Sequence, residues 1–361
     1  MFRMFLAVVL CILAMAATWS GTARFRVWAE KRQIVDMPNE RSSHTRPTPR
    51  GGGLVIVSVT LLCGFLLAVV SLPGGSWITC VPYLGGSLLV AIVSWLDDVR
   101  TLPSWLRLGA HLLAACIAVA GLGYWKEVSL PLVGTVSLGG WGAVVTVFWI
   151  VGLTNAYNFM DGTDGIAGAQ AVVASLGWAV LGWIGGIPMV GGLGLALAGS
   201  SLGFLIHNWP PARIFMGDVG SAFLGYTLAV FPVMYGFFDE AGSGIWAVAL
   251  LLVWPFVFDT LFTFARRLRK GENVFAAHRS HLYQRMTTAH SGHARVALLY
   301  SGLALIGGLL AQVWSTRVAR GAVTVTLALP LLCLGLWAAA VIGDRKRIEA
   351  GRSHGRVLGQ N

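Results

Sequence analysis

Residues 138–184 read LGGWGAVVTVFWIVGLTNAYNFMDGTDGIAGAQAVVASLGWAVLGWI. Two apolar runs, 138–154 and 166–184, flank eleven residues that contain no Lys or Arg. Each run is close to the length a helix needs to cross a hydrocarbon core of about 30 Å. Backbone inside lipid must satisfy its own hydrogen bonds, so runs of this length are helical. Similar runs of roughly 17 to 22 residues recur near 2–20, 52–72, 78–96, 108–124, 188–206, 222–238, 244–264, 295–313 and 322–342. The expected fold is an all-α integral membrane protein of about eleven transmembrane helices.

Composition excludes a single water-soluble globule: 56% of the 361 residues are apolar, 11% are charged, and the mean hydropathy is +0.72. The net charge of +11 invites a nucleic-acid reading. These cations lie in short segments between apolar runs, where topology and anionic headgroups account for them, so no nucleic-acid partner is expected. Counting the runs alternately in and out puts 22 of the 26 Lys and Arg in 24–51, 97–107, 155–165, 207–221, 265–295 and 343–361. The positive-inside rule makes those segments cytoplasmic, with the N-terminus periplasmic and the C-terminus cytoplasmic. The first run resembles a secretory signal, but cleavage would leave an Arg-rich segment outside, so it is read as an uncleaved helix. Cys11, Cys63, Cys80, Cys116 and Cys333 fall singly in separate runs and read as small core residues. Residues 1–361 form one polytopic membrane domain.

The polar motifs gather on the side assigned to the cytoplasm. Asp97-Asp98 close the third run, where adjacent carboxylates are costly without a cation, a metal or an Arg; a solvated helix end is the plainer reading. In the loop at 155–165, Asn155 begins the motif and Asn158, Asp161 and Asp164 recur every three residues, bringing them together on a helical or turn-like backbone. Glycines there allow close approach to a ligand. Asp218 stands between Gly217 and Val219-Gly220 at a helix entry, as an N-cap or, beside the other acidic groups, as part of a Mg²⁺ site. In the loop at 265–295, Arg279, His281 and Arg285 are suited to holding a diphosphate through charge-assisted bonds. Two His without Cys make a poor zinc signature. Asp259, ionisable within a run, is a functional candidate by position, with a structural Arg pairing as the alternative.

Asp97-Asp98, the Asn155–Gly168 segment, Phe215–Ser221 and the His278–Arg285 loop together closely resemble the polyprenyl-phosphate N-acetylhexosamine-1-phosphate transferase family. That family includes the enzymes that start O-antigen and related polymers and the phospho-muramoyl-pentapeptide transferases. Val35–His44 and Pro47–Gly53 look like the first cytoplasmic loop of the former group. The resemblance implies an enzyme of the bacterial inner membrane that transfers a sugar 1-phosphate from a UDP-N-acetylhexosamine to undecaprenyl phosphate and releases UMP, starting a polysaccharide such as O-antigen. It implies Mg²⁺, with Mn²⁺ as the alternative ion, membrane lipids as surroundings, and a homodimer as the oligomer to test. By the same resemblance Asp97 and Asp98 serve the lipid phosphate, Asn158 and Asp218 the metal, and Asp161 and Asp164 the metal and nucleotide. His281 serves the donor phosphates, with Asn155, Arg279 and Arg285 among the substrate-binding residues. Tyr283 and Gln284 stand where many members have further His, which argues against the muramoyl-pentapeptide branch. Two rivals remain: a membrane prenyltransferase, which wants a later Asp than Asp97-Asp98-Val99-Arg100-Thr101 supplies, and a transporter, which wants its charges at the midplane.

Overall fold

The computed structural model describes residues 2–38, 47–71, 76–130, 133–238, 244–273, 280–287, 292–316 and 318–358. Helix α1 (Phe2–Lys31) leads into a ribbon of β1 (Val35–Asp36) paired antiparallel with β2 (Thr48–Pro49), then α2 (Gly53–Ser71), α3 (Val81–Arg100) and α4 (Ser104–Leu122). A second ribbon, β3 (Glu127–Leu130) with β4 (Gly134–Ser137), turns the chain into α5 (Trp141–Met160) and α6 (Ile166–Ile184). There follow α7 (Pro188–Asn208), α8 (Asp218–Phe238), α9 (Ile245–Arg269), the short α10 (Leu282–Met286), α11 (His293–Thr316) and α12 (Val318–Leu358). Among the described residues, 11 helices are long and apolar enough to cross a membrane, all but α10. The protein is therefore a multi-pass all-α membrane protein, and the two ribbons add short strands that the hydropathy pattern does not announce.

Several helices outrun their apolar cores. α1 continues through Arg24 and Arg26 to Lys31, α3 to Arg100 and α9 to Arg269. Long cationic side chains lay their stems along apolar surface and carry their charge to the interface, so a helix extends past the point where hydropathy fades.

Helices α7 and α8 form the centre, each with 78% of its most apolar window buried, against 17–28% for α1, α4 and α12. Lipid is as apolar as Leu, so close packing between helices rests on small residues that let backbones touch. A Cβ on Gly199 would stand 2.3 Å from the Cys11 carbonyl oxygen, and one on Gly203 2.3 Å from that of Met15. These two glycines seat α1 against α7. Large side chains such as Trp141 and Phe148 point outward from α5.

Backbone bonds draw the polar segments to one end of the bundle. Gly52 N donates to Phe215 O at 3.0 Å, Gly53 N to Met216 O at 2.8 Å, and Phe215 N to Pro49 O at 2.8 Å. The segment after β2 is thus stitched to the entry of α8.

Candidate active site

The α3 terminus meets the α8 entry through Asp98. Its Oδ1 accepts from Asp218 N and its Oδ2 from Val219 N, both at 3.0 Å. The first amides of a helix have no intrahelical acceptor and carry the positive end of its dipole, so a carboxylate there is doubly favourable. Asp98, from another helix, does the capping that the local sequence suggested for Asp218. Gly217 is obligatory at this junction: its φ is +75° and a Cβ would lie 2.6 Å from Asp98 Oδ2. Arg50 donates to the Asp98 carbonyl.

Asp97, one residue earlier, turns to α4. Its Oδ1 accepts from Leu102 N, and its Oδ2 takes Arg107 Nη1 at 2.8 Å. The same nitrogen reaches Asp218 Oδ2 at 3.0 Å, so one guanidinium bridges two carboxylates from different helices. The Asn158 amide also interacts with Asp218. Sequence reading missed Arg107; its one signal was a lone cation at the start of an apolar run.

Asp161 ends α5 beside this group. Burial first, and then the carboxylates of Asp218, Asp98 and Asp164, push its carboxyl well above the usual carboxylate range. Every charge that shifts it is negative, so the position favours an added cation. Asp164 has its own ties, with Ala212 N donating to Oδ2 at 3.0 Å and His293 Nδ1 standing 3.2 Å from Oδ1. Next to it Gly165 N donates to Asn208 Oδ1 at 3.0 Å, and Asn208 Nδ2 to Ile214 O at 3.0 Å. Asp164 therefore locks the α5–α6 loop to the α7–α8 loop and to α11. His293 lies outside every motif the sequence offered. Asn155 sits a turn deeper along α5, its amide donating to Val151 O at 2.7 Å and facing His111.

The His loop hangs on Asp259, which is wholly buried in α9. Oδ1 faces His281 Nδ1 at 3.1 Å and accepts from Leu282 N at 2.8 Å; Oδ2 accepts from Tyr283 N at 3.0 Å and from the Tyr300 hydroxyl at 2.6 Å. Thr263 Oγ1 adds a contact at 3.2 Å. Among the described residues its partners are thus His281, two amides and two hydroxyls, and no Arg. Tyr283 in turn donates to Phe159 O at 3.0 Å, joining α10 to the Asn-Asp-Gly segment. Burial, then Asp259 and Asp161, raise its phenol well above the usual range, so it remains a donor. Arg285 is half-buried on α10, one turn after His281. Arg279 lies outside the described residues.

The bundle thus ends in a polar site made by α3, α4, α5, α8 and α10: carboxylates, one bridging arginine, and a histidine anchored by a buried aspartate. Such a site, with more carboxylates than cations at the polar end of a membrane protein, is one that favours an added cation. Comparison with known proteins makes this specific. Residues 80–236 match the model of glycosyl transferase family 4. A Bacillus subtilis protein named as a probable undecaprenyl-phosphate N-acetylglucosaminyl 1-phosphate transferase is 30% identical over 82% of this chain and 82% of its own length. A decaprenyl-phosphate N-acetylglucosaminephosphotransferase of Mycolicibacterium smegmatis is 32% identical over 80% of this chain and 77% of its own. A phospho-N-acetylmuramoyl-pentapeptide-transferase of Latilactobacillus sakei is 30% identical over 59% and 69%. The chain belongs to glycosyl transferase family 4, and it is a membrane-embedded transferase.

Proposed function

We propose that the protein transfers N-acetylhexosamine 1-phosphate from a UDP-sugar to undecaprenyl phosphate, on the cytoplasmic side of a bacterial inner membrane, as the first step of a surface polysaccharide such as O-antigen. The names of the B. subtilis and M. smegmatis relatives support the reaction type and make N-acetylglucosamine the first donor to test. The partition of cations supports the cytoplasmic side. The observation that carries the reading is the bridge Asp97–Arg107–Asp218, which joins acidic groups from two membrane helices through one cation.

A divalent ion fits this donor set. Among the described residues no three His, Cys, Asp or Glu form a metal-binding group by themselves. Mg²⁺ suits a site of this sort, because it is held by one or two carboxylates and completes its shell with water and phosphate oxygens. Asp218 and Asn158 would hold it, with Asp161 beside them, and the ion when bound neutralises the diphosphate's charge.

In the reaction a phosphate oxygen of the lipid bonds to the β-phosphorus of the donor, the bond from that phosphorus to the α–β bridging oxygen breaks, and UMP leaves. With a second pKa of about 6, a phosphate monoester is already largely dianionic near neutral pH. Repulsion between two anions is then the main barrier, and positioning with charge neutralisation supplies most of the catalysis. On this reading Arg107, fixed by Asp97, supplies a cation to the acceptor phosphate, and His281, held by Asp259, serves the donor phosphates. With Mg²⁺, polyprenyl phosphate and UDP-N-acetylglucosamine labelled in the β-phosphate, the purified protein should place the label in the lipid. Sugar reaching the lipid without that phosphate would refute the mechanism.

A further inference from the structure

We propose that Arg107 is an exchangeable counter-ion. It neutralises Asp218 while that carboxylate lacks a metal, and it turns to substrate phosphate when a divalent ion takes its place. The inference rests on the reading of Asp218 as a metal ligand given above.

The geometry makes the two cations competitors. Arg107 Nη1 contacts Asp218 Oδ2 at 3.0 Å, whereas a Mg²⁺ ion needs a carboxylate oxygen at about 2.0–2.1 Å. Two positive groups on one carboxylate repel strongly in a partly enclosed site. Arg107 is also the partner able to leave. Its side chain is 35% exposed and sits in the first turn of α4 at the bundle's polar end. Asp97 is the pivot: Oδ2 holds Nη1 at 2.8 Å while Oδ1 is fixed by Leu102 N. Among the described residues Nη1 alone makes hydrogen bonds, so the Nε and Nη2 donors suit phosphate oxygens. Release from Asp218 therefore swings the guanidinium about Asp97 without stranding it. The arginine and the metal then act in sequence: ion entry frees a phosphate-binding cation next to the acceptor.

The test measures Mn²⁺ binding by electron paramagnetic resonance on purified wild type, Arg107→Gln, Asp218→Asn and the double variant at neutral pH. Arg107→Gln should bind Mn²⁺ about tenfold more tightly than wild type, because a competing charge is gone, yet transfer more slowly. A merely structural arginine would weaken binding or leave it unchanged. Asp218→Asn should lose the site in either background. If Arg107→Gln binds Mn²⁺ no more tightly while Asp218→Asn loses it, the exchange is wrong and the metal reading stands. If Asp218→Asn binds like wild type, both fall. A second measurement needs no variant. Modification of Arg107 by phenylglyoxal, followed by peptide mass spectrometry, should run several-fold faster with Mn²⁺ present, with no such change at Arg213. An unchanged or slower rate at Arg107 overturns the proposal.

Discussion

Replacing Asp259 by Asn keeps the shape of the side chain and changes only which atoms accept hydrogen bonds, so its effect can be worked out from the contacts. Oδ1 serves Leu282 N and His281, and Oδ2 serves Tyr283 N and Tyr300. An amide NH₂ placed at Oδ1 faces the Leu282 amide, and one placed at Oδ2 faces the Tyr283 amide. The Tyr300 hydroxyl can rotate to accept, but a backbone N–H cannot. At least one buried amide is then left unpaired, at about 1–3 kcal/mol, and the remaining bonds lose their charge assistance, for about 1 kcal/mol more. The total of about 2–4 kcal/mol corresponds to roughly 30- to 1000-fold easier opening of the α10 segment. Hydrogen exchange should report this as lost protection at Leu282 and Tyr283, with α7 and α8 unchanged. Transfer activity should fall in parallel, since His281 loses its anchor. If both amides keep wild-type protection in Asp259→Asn, the buried carboxylate does not organise this loop.

Gly217→Ala should cost about 1–3 kcal/mol through its left-handed backbone and displace Asp98 from the α8 entry; a wild-type melting temperature and turnover would contradict this. Gly203→Leu should separate α1 from α7 and lower thermal stability, whereas Gly109→Ala, where a Cβ meets nothing within 4 Å, should not; equal melting curves for the two would count against the packing argument. The pH dependence follows from Asp161, whose pKa is raised on folding. Above the usual Asp value of about 4 and up to the raised one, the folded chain holds a proton that the unfolded chain has lost. Without a divalent ion, stability therefore falls as pH rises through that window, and ion binding releases the proton. Melting in EDTA across that range, and calorimetry in buffers of different ionisation enthalpy, test this; a flat profile with no proton release refutes it.

The spanning helices were legible because lipid imposes one demand on every apolar run, and the eleven runs are matched by eleven spanning helices among the described residues. Their ends were less so, since α1 and α9 continue on cationic residues that hydropathy discounts. At the site, residue types were legible and partners were not. Asp97, Asp98 and Asp218 stand out as acids at helix ends, but the cation joining two of them, Arg107, is 111 positions from Asp218, and its place at the start of an apolar run does not say which acids it meets. The partners of Asp259 are likewise fixed by the packing of α9, α10 and α11. His293 looks like any polar residue at a helix start until Asp164 is placed beside it.

The carboxylate of Asp98 stands between two chemistries, and this changes what a defective variant can teach. It lies beside the acids of the site while terminating the hydrogen-bond ladder of α8, a helix at the heart of the bundle. A substitution there removes an acidic group and unsettles the entry of a central span together. Loss of turnover in such a variant cannot by itself be credited to proton transfer or phosphate binding. Genetic screens for dead alleles will score this position as essential for reasons of architecture as much as of reaction, and assigning its role requires a partner change that restores the α8 terminus without restoring the acid.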